Sequence, residues 1–327
     1  MRRVIHHNRS MSDTVDRWVI GDPATLREGD AFLALDLAGH RRALASGVRS
    51  VPFHTLLPVG GGTGPAPEVL VEPPTWRGYA FVEVLEWLVT SRLAVPSVSR
   101  VEWVAGVKSG ATGVRRILAA RGWDVAMTKE RGRVHFVGTP PSPGAMPSLE
   151  TFEAEFDGRR LEFASGWGSF SREHVDEGTS LLYEVAAGFG PVPLVVDIGT
   201  GYGVLAVALV AGRHARAAVG TEIDSVSLHL AQRNAECAGV ALEAAFDDDP
   251  RRQPSSELTV CNVPTHADRA NAKLLTDGLA ARAAMGDVLI VVHASLEQRY
   301  RQALATQRTR VRVAKRSSHA VLHLDRR

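Results

Sequence analysis

The chain has 327 residues, 45% of them hydrophobic and 23% charged, with a formal net charge of +2. That length is enough for two domains, the balance is that of an ordinary globular protein, and a charge so close to zero makes no case for a nucleic-acid partner by itself. Two cysteines, Cys237 and Cys261, exclude a disulfide framework and suit a reducing cytoplasm; no window reaches the roughly 18 apolar residues of a membrane span, and no Cys/His cluster points to structural zinc or any other metal site.

The first stretch, MRRVIHHNRSMSD, carries positive charge without an apolar core, so no signal peptide is expected and His6-His7 reads as tail. VGGGTGP (59–65) reads as a loop and VEPP (71–74) as the end of a strand. The run VEWVAGVKSGATGVRRILAARGWDVAMTKERGRVHFVGT (101–139) alternates as strand, glycine loop, helix, strand, strand, so the first half is α/β. Trp76, Trp87, Trp103 and Trp123 read as core or interface aromatics. GTPPSPGAMPS (138–148) is too rich in Pro, Gly and Ser for a regular element. It divides the chain into 1–137, a linker at 138–148, and 149–327; no short internal repeat is apparent.

In the second half, LVVDIGTGYGVLAVALV (194–210) has a short apolar run that ends in Asp197, then Gly199, Thr200, Gly201 and Gly203, then apolar helix formers from Val204. This is strand, glycine loop, helix. The glycines let a ligand approach the backbone, and the helix start offers free N–H groups. A dinucleotide fingerprint is excluded because its third glycine would fall at Val204, and a P-loop because no Gly-Lys-Ser/Thr follows. In AAVGTEIDSVSLHLAQRNAECAG (217–239) an apolar run ends at Glu222, Asp224 or Ser225 caps a helix, and Gly239 closes it. An acid at such a strand end can accept both hydroxyls of a ribose.

LEAAF leads into Asp247-Asp248-Asp249, which is either a ligand contact or a solvated turn before Pro250. In ELTVCNVPT (257–265), Leu258 to Cys261 make a strand with Asn262-Val263-Pro264-Thr265 at its end. Ligands in open α/β sheets bind at the carboxyl ends of the strands, so Asp197, Glu222, Asp247 and Asn262 are expected to face one crevice. From Arg299 to Arg327, nine Arg/Lys residues meet one acid, Asp325; Arg308, Arg310 and Arg312 alternate, either tracking phosphates or guarding an edge strand. His266 and His293 read as surface or loop histidines, and both cysteines as small packed side chains.

Several of these segments resemble a known family. Asp-x-Gly-x-Gly-x-Gly (197–203) resembles the first motif of class I S-adenosylmethionine (SAM) methyltransferases. Asn262 to Thr265 resembles the Asn-Pro-Pro-Phe/Tyr motif of those that modify exocyclic or amide nitrogens. In GSFSREHVDEGTSLLYE (168–184), Phe170, Ser171, Asp176, Gly178 and Thr179 match the bacterial ribosomal RNA guanine-N2 methyltransferases, whose catalytic part is the methyltransferase small domain. MGDVLIVVHASLEQRYRQAL (285–304) is similar to their Gly-Gly-x-Leu strand, so the resemblance covers about 150 to 327. The first half resembles their amino-terminal, degenerate methyltransferase domain, with Gly106-Val107-Lys108 in place of its Gly-x-Lys turn.

The resemblance implies an α/β fold: a Rossmann-like SAM methyltransferase domain preceded by a degenerate methyltransferase-like α/β domain that docks substrate or stabilises the catalytic half. It implies SAM as cofactor, held by Asp197, Gly199, Thr200, Gly201, Gly203, Glu222 and Thr179, with Asp247 meeting the adenine amino group. Asn262 and Pro264 are the implied catalytic residues: the Asn262 side chain and the Val263 carbonyl accept hydrogen bonds from the target amine, and Pro264 keeps the turn rigid. The implied reaction is methyl transfer to the exocyclic amine of guanine in ribosomal RNA. Thr265 stands where the family has an aromatic ring that stacks on a flipped base, and it cannot stack. That departure keeps open a small-molecule N- or O-methyltransferase on the same fold. A methyltransferase-like RNA-binding protein without activity is a third reading, against which the glycine loop and Glu222 count.

Overall fold

The computed structural model describes residues 15–22, 25–56, 66–74, 77–94, 99–169, 171, 173–264 and 269–326. Of the residues singled out above, His6, His7, 59–65, Trp76, Phe170, Thr265 and His266 lie outside them. The chain divides into two compact units, Met1–Ala34 with Gly39–Pro147, and Leu35–Ala38 with Ser148–Arg327. Residues 139–149 form no helix or strand.

The strands of the first unit are β1 (Arg17–Ile20), β2 (Asp30–Ala34), β3 (Arg49–Pro52), β4 (Glu68–Val71), β5 (Arg100–Gly106), β6 (Val125–Glu130) and β7 (Arg133–Gly138). They form a 7-stranded sheet in the order β3-β2-β1-β4-β5-β7-β6, parallel from β3 to β5 and antiparallel from β5 to β6. The helices named with them are α1 (Leu37–Ala45), α2 (Phe53–Leu56), α3 (Tyr79–Leu88) and α4 (Ala111–Ala120). Trp103 is fully buried and meets Trp123 edge-on, with ring centroids 5.8 Å apart. Trp123 Nε1 donates to Glu86 Oε1 at 2.9 Å, the partner a buried indole needs, while Trp87 is half-buried. These are core aromatics, not a stacking platform.

The second unit begins with a hairpin, β8 (Glu150–Phe156) and β9 (Arg159–Ser165), whose turn puts Asp157 and Gly158 at φ 50° and 75°. Paired left-handed residues match the twist of a two-residue hairpin. Then follow α5 (Glu177–Ala187), β10 (Val192–Ile198), α6 (Val204–Ala211), β11 (Ala215–Glu222), α7 (Ser225–Ala238), β12 (Leu242–Phe246), β13 (Leu258–Asn262), α8 (Arg269–Arg282), β14 (Asp287–His293), α9 (Glu297–Leu304), β15 (Thr309–Arg316) and β16 (His319–Arg326). Their 7-stranded sheet runs β12-β11-β10-β13-β14-β16-β15, again parallel over the first five and antiparallel over the last two. The two sheets therefore share one order and one set of strand directions: the chain repeats a fold that leaves no repeat visible in its sequence.

The central strands are near-continuous apolar runs because helices cover both faces. Val196, Ile198, Cys261, Val288, Ile290 and Leu322 meet in the core beneath the strand ends. Seven of the eight α6 residues are buried, as a helix apolar all round must be. Cys237, expected to pack like Cys261, is exposed on α7 instead, because the apolar stripe of that helix runs through Val226, Leu230 and Ala231. Among the described residues no helix is long and apolar enough to cross a membrane.

In both sheets the strand order reverses at the sheet's first strand in sequence, β1 or β10, and a crevice forms outside the carboxyl ends at such a switch point. The two crevices differ. In the first sheet a side chain at Gly21 would start 2.5 Å from Glu72 Cβ, so the loop after β1 is closed by the segment after β4. In the second, nothing lies within 4 Å of a Cβ placed on Gly199 or Gly201.

Candidate functional site

A cavity of about 380 Å³ opens at the carboxyl ends of β10 and β13, within the size range of small-molecule sites. Its walls include Thr179, Asp197, Gly199, Thr200, Gly201, Glu222, Asn262 and Pro264. Among the described residues that line it there is no lysine or arginine, while Asp176, Asp197 and Glu222 make its fixed charge negative.

Asp197 is the last residue but one of β10 and is 2% exposed. Burial pushes its carboxyl up to about 7, against the pull of the Thr200 hydroxyl, which donates to Oδ2 at 2.7 Å, and of the Ala206 amide. Gly199 and Gly201 adopt φ of 72° and 57°, which turns the loop and leaves its cavity side bare. The loop is tied to β11: Thr200 N donates to Thr221 O at 2.8 Å and Gly201 N to Glu222 Oε2 at 2.9 Å. Glu222 Oε1 accepts from the amides of Ile223 and Asp224 at 2.7 and 3.0 Å.

Asn262 closes β13, and its Nδ2 donates to Asp176 Oδ2 and to Thr179 Oγ1, both at 2.9 Å. Asp176 is also the N-cap of α5, accepting from Thr179 N at 3.1 Å. Strand register brings two further side chains to this side. Asn262 pairs with Val291 on β14, and His293 pairs with His319 on β16. Side chains alternate along strands, so Asn262, His293 and His319 share one face. Both imidazoles line the cavity, with ring centroids 5.5 Å apart. His293 is thus an exposed residue of the cavity wall, at a strand end.

Two expected ligand residues stand elsewhere. Gly203 does not line the cavity; at φ 88° it begins α6 where a Cβ would lie 3.1 Å from Ala231 Cα, so its work is to let α6 pack on α7. Asp247 is off the cavity wall, its Oδ1 accepting from the Asp248 and Asp249 amides and from Arg252 Nη1 at 2.9 Å. The four basic residues of β15 are paired: Arg310 and Arg312 face Asp325, Lys315 meets Glu184, and Arg316 meets Glu297, with β15 at the sheet edge. That pairing fits a guarded edge.

Sequence reasoning gives Asp176 only as a motif match, without a role, and does not reach His319 at all. Asp176 lies 86 positions from Asn262. His319 reaches the site only through antiparallel pairing.

Comparison with known proteins adds the following. The sequence model of the methyltransferase small domain matches residues 160–323. A release factor glutamine methyltransferase of Cereibacter sphaeroides is 31% identical over 172 residues, which is 48% of this chain and 58% of that relative's length. Among solved structures, the T. thermophilus 16S rRNA N2 G1207 methyltransferase in complex with AdoMet and guanosine superposes with a TM-score of 0.74 at 22% identity, over 95% of this chain and 88% of that one.

Proposed function

The chain belongs to the methyltransferase small domain family, and from that premise we propose that it transfers a methyl group from SAM to the exocyclic amine of guanine in ribosomal RNA. The observation that carries this reading is the duplicated sheet, one order in two units, in a chain that superposes over 95% of its length on a ribosomal RNA guanine-N2 enzyme.

The residues present fit SAM. Gly199 and Gly201 leave a bare cradle, and the buried Asp197 and Glu222 supply carboxylates that suit a cation and a ribose diol. Thr179 and Thr200 complete the holding set, the loop amides being donated to Thr221 and Glu222, with Asp247 at the adenine side through its loop rather than on the cavity wall. SAM supplies a methyl group already activated on a sulfonium. What remains for the chain is alignment, which is worth more here than acid–base chemistry. Asn262 Oδ1 and the Val263 carbonyl accept hydrogen bonds from the amine N–H groups and favour a pyramidal nitrogen whose lone pair is free to react. Pro264 fixes the turn that aims that carbonyl. Asn262, Val263 and Pro264 all line the cavity.

A second reading rests on the Cereibacter sphaeroides relative, which carries the name of an enzyme acting on a glutamine side chain. A glutamine amide is also a conjugated nitrogen and would use the same acceptors. Incubating the chain with methyl-labelled SAM and, separately, total ribosomal RNA, a purified release factor and a metabolite extract tests the choice. Label recovered as N2-methylguanosine supports the proposal. Label confined to protein or to small molecules overturns it.

A further inference from the structure

The amide of Asn262 offers two N–H donors and one acceptor oxygen, and both donors are spoken for. Nδ2 lies 2.9 Å from Asp176 Oδ2 and 2.9 Å from Thr179 Oγ1. A carboxylate oxygen accepts and cannot donate, so the group facing Asp176 has to be the NH2; the flipped amide would set two acceptors against each other. Among the described residues nothing donates to Asn262 Oδ1, and Asn262 lines the cavity.

We propose that Asp176 is a positioning residue for methyl transfer: its carboxylate, with the Thr179 hydroxyl, holds the Asn262 amide in the one orientation that presents Oδ1 to the methyl-accepting amine. This rests on the reading of the site as an amine methyltransferase. Asp176 can do this because it stands where α5 begins. Its Oδ2 accepts the capping bond from the Thr179 amide at 3.1 Å, and the same oxygen reaches across to the end of β13. An asparagine at this position would cap the helix equally well. While that cap holds, its single oxygen still faces the Asn262 NH2, but as a neutral acceptor in place of a charged one, so the amide is held less firmly in its orientation. A flipped Asn262 would point a donor at an amine that is itself a donor, and the acceptor contact to the reacting nitrogen would be lost.

The test uses the full chain, methyl-labelled SAM and total ribosomal RNA. For Asp176→Asn the proposal expects kcat to fall about tenfold, since the charge-assisted bond that holds the Asn262 amide is roughly twice as strong as the neutral one that replaces it. SAM affinity and melting temperature should stay near wild type. The double variant Asp176→Asn with Asn262→Asp exchanges the two groups and should recover part of kcat. The carboxylate now at the end of β13 presents an acceptor whichever way it turns, and the amide now at the start of α5 donates to it. The helix cap survives in Asp176→Asn, whose amide oxygen accepts from the Thr179 amide; in the exchange the NH2 takes the place of the capping oxygen, so the melting temperature of the double variant is read beside its kcat.

Thr179→Val, which removes only the second acceptor, should give a smaller loss of kcat. Should Asp176→Asn fold poorly, Thr179→Val and the side-chain NH2 resonance of Asn262 in ¹⁵N-labelled chain carry the test, since that resonance should shift when either acceptor is removed. Wild-type kcat in Asp176→Asn, a loss that the exchange does not rescue, or an unmoved resonance overturns the proposal. Full turnover in Asn262→Ala instead overturns the amine-acceptance reading beneath it.

Discussion

Gly201 donates its backbone amide to Glu222 Oε2 at 2.9 Å, so the acid at the end of β11 holds the glycine loop that follows β10. One carboxylate thus shapes the cradle and, in the function proposed, also meets the ribose. Glu222→Ala should weaken SAM binding on both counts. Charge-assisted hydrogen bonds contribute roughly 1.5–3 kcal/mol each, and 1.4 kcal/mol is about tenfold in affinity, so a rise in Kd of about 10- to 100-fold is expected by calorimetry. Glu222→Gln should fall between. An unchanged Kd in a folded Glu222→Ala chain would remove the ribose from this position.

Gly201 and Gly203 look alike in sequence and should fail differently. Both have positive φ, which costs an L-residue about 1–2 kcal/mol. A Cβ on Gly201 meets nothing within 4 Å and projects into ligand space, whereas one on Gly203 meets Ala231 Cα at 3.1 Å. Gly201→Ala should therefore lose SAM affinity out of proportion to its stability. Gly203→Ala should lose stability, by about 1–3 kcal/mol for an overpacked contact, and bind SAM well in its folded fraction. Paired melting curves and titrations separate the two; identical behaviour would mean that both glycines face the ligand.

The elements of the catalytic half are legible because each is punctuated locally: Asp224 caps α7, Gly239 ends it at φ 64°, and the apolar run before Asp197 is β10. Eight of the expected site residues line the cavity because strand ends in an open α/β sheet converge by topology, which the glycine loop announces. Gly203 and Asp247 match the family pattern by spacing, yet spacing cannot say which way a loop turns its side chains. The Asp176–Asn262 contact and the His293–His319 pair are tertiary, set by helix placement and antiparallel register rather than by any neighbour in sequence. The duplicated sheet is illegible as a repeat because strand order constrains burial and direction, not residue identity.

Arg282 is a guanidinium 1% exposed with no carboxylate among its hydrogen-bond partners. Nε donates to Thr259 Oγ1, Nη1 to the carbonyls of Pro250 and Gln253, and Nη2 to Pro254 O and Ser256 Oγ, at 2.7 to 3.4 Å. It staples the segment after Asp247 to α8 and β13. Arg282→Leu leaves those acceptors buried and unpaired, at about 1–3 kcal/mol each. Urea unfolding should show a loss of about 3 kcal/mol or more, with an unchanged slope if only stability is altered. A loss below about 1 kcal/mol would mean that water replaces the guanidinium and that the staple is dispensable.

Asp197 makes both stability and ligand binding depend on pH, in opposite senses. Burial raises its carboxyl to about 7 in the folded chain, whereas an unfolded aspartate titrates near 3.9. Between those values the folded state binds the extra proton, so this group's contribution to stability falls as pH rises from about 4 to about 7. A cationic ligand beside the carboxylate favours its ionised form. SAM binding below about pH 7 should therefore expel a proton, and affinity should rise with pH by at most about tenfold per unit, then level above pH 7. Asp197→Asn removes the titration. The ligand-free variant should melt higher than wild type at pH 8, and its weaker SAM binding should lose this pH dependence. Calorimetry at pH 6 in two buffers of different ionisation enthalpy counts the protons released. If wild type and Asp197→Asn release the same number on binding SAM, Asp197 is already ionised in the free protein and the linkage assigned to its burial is wrong.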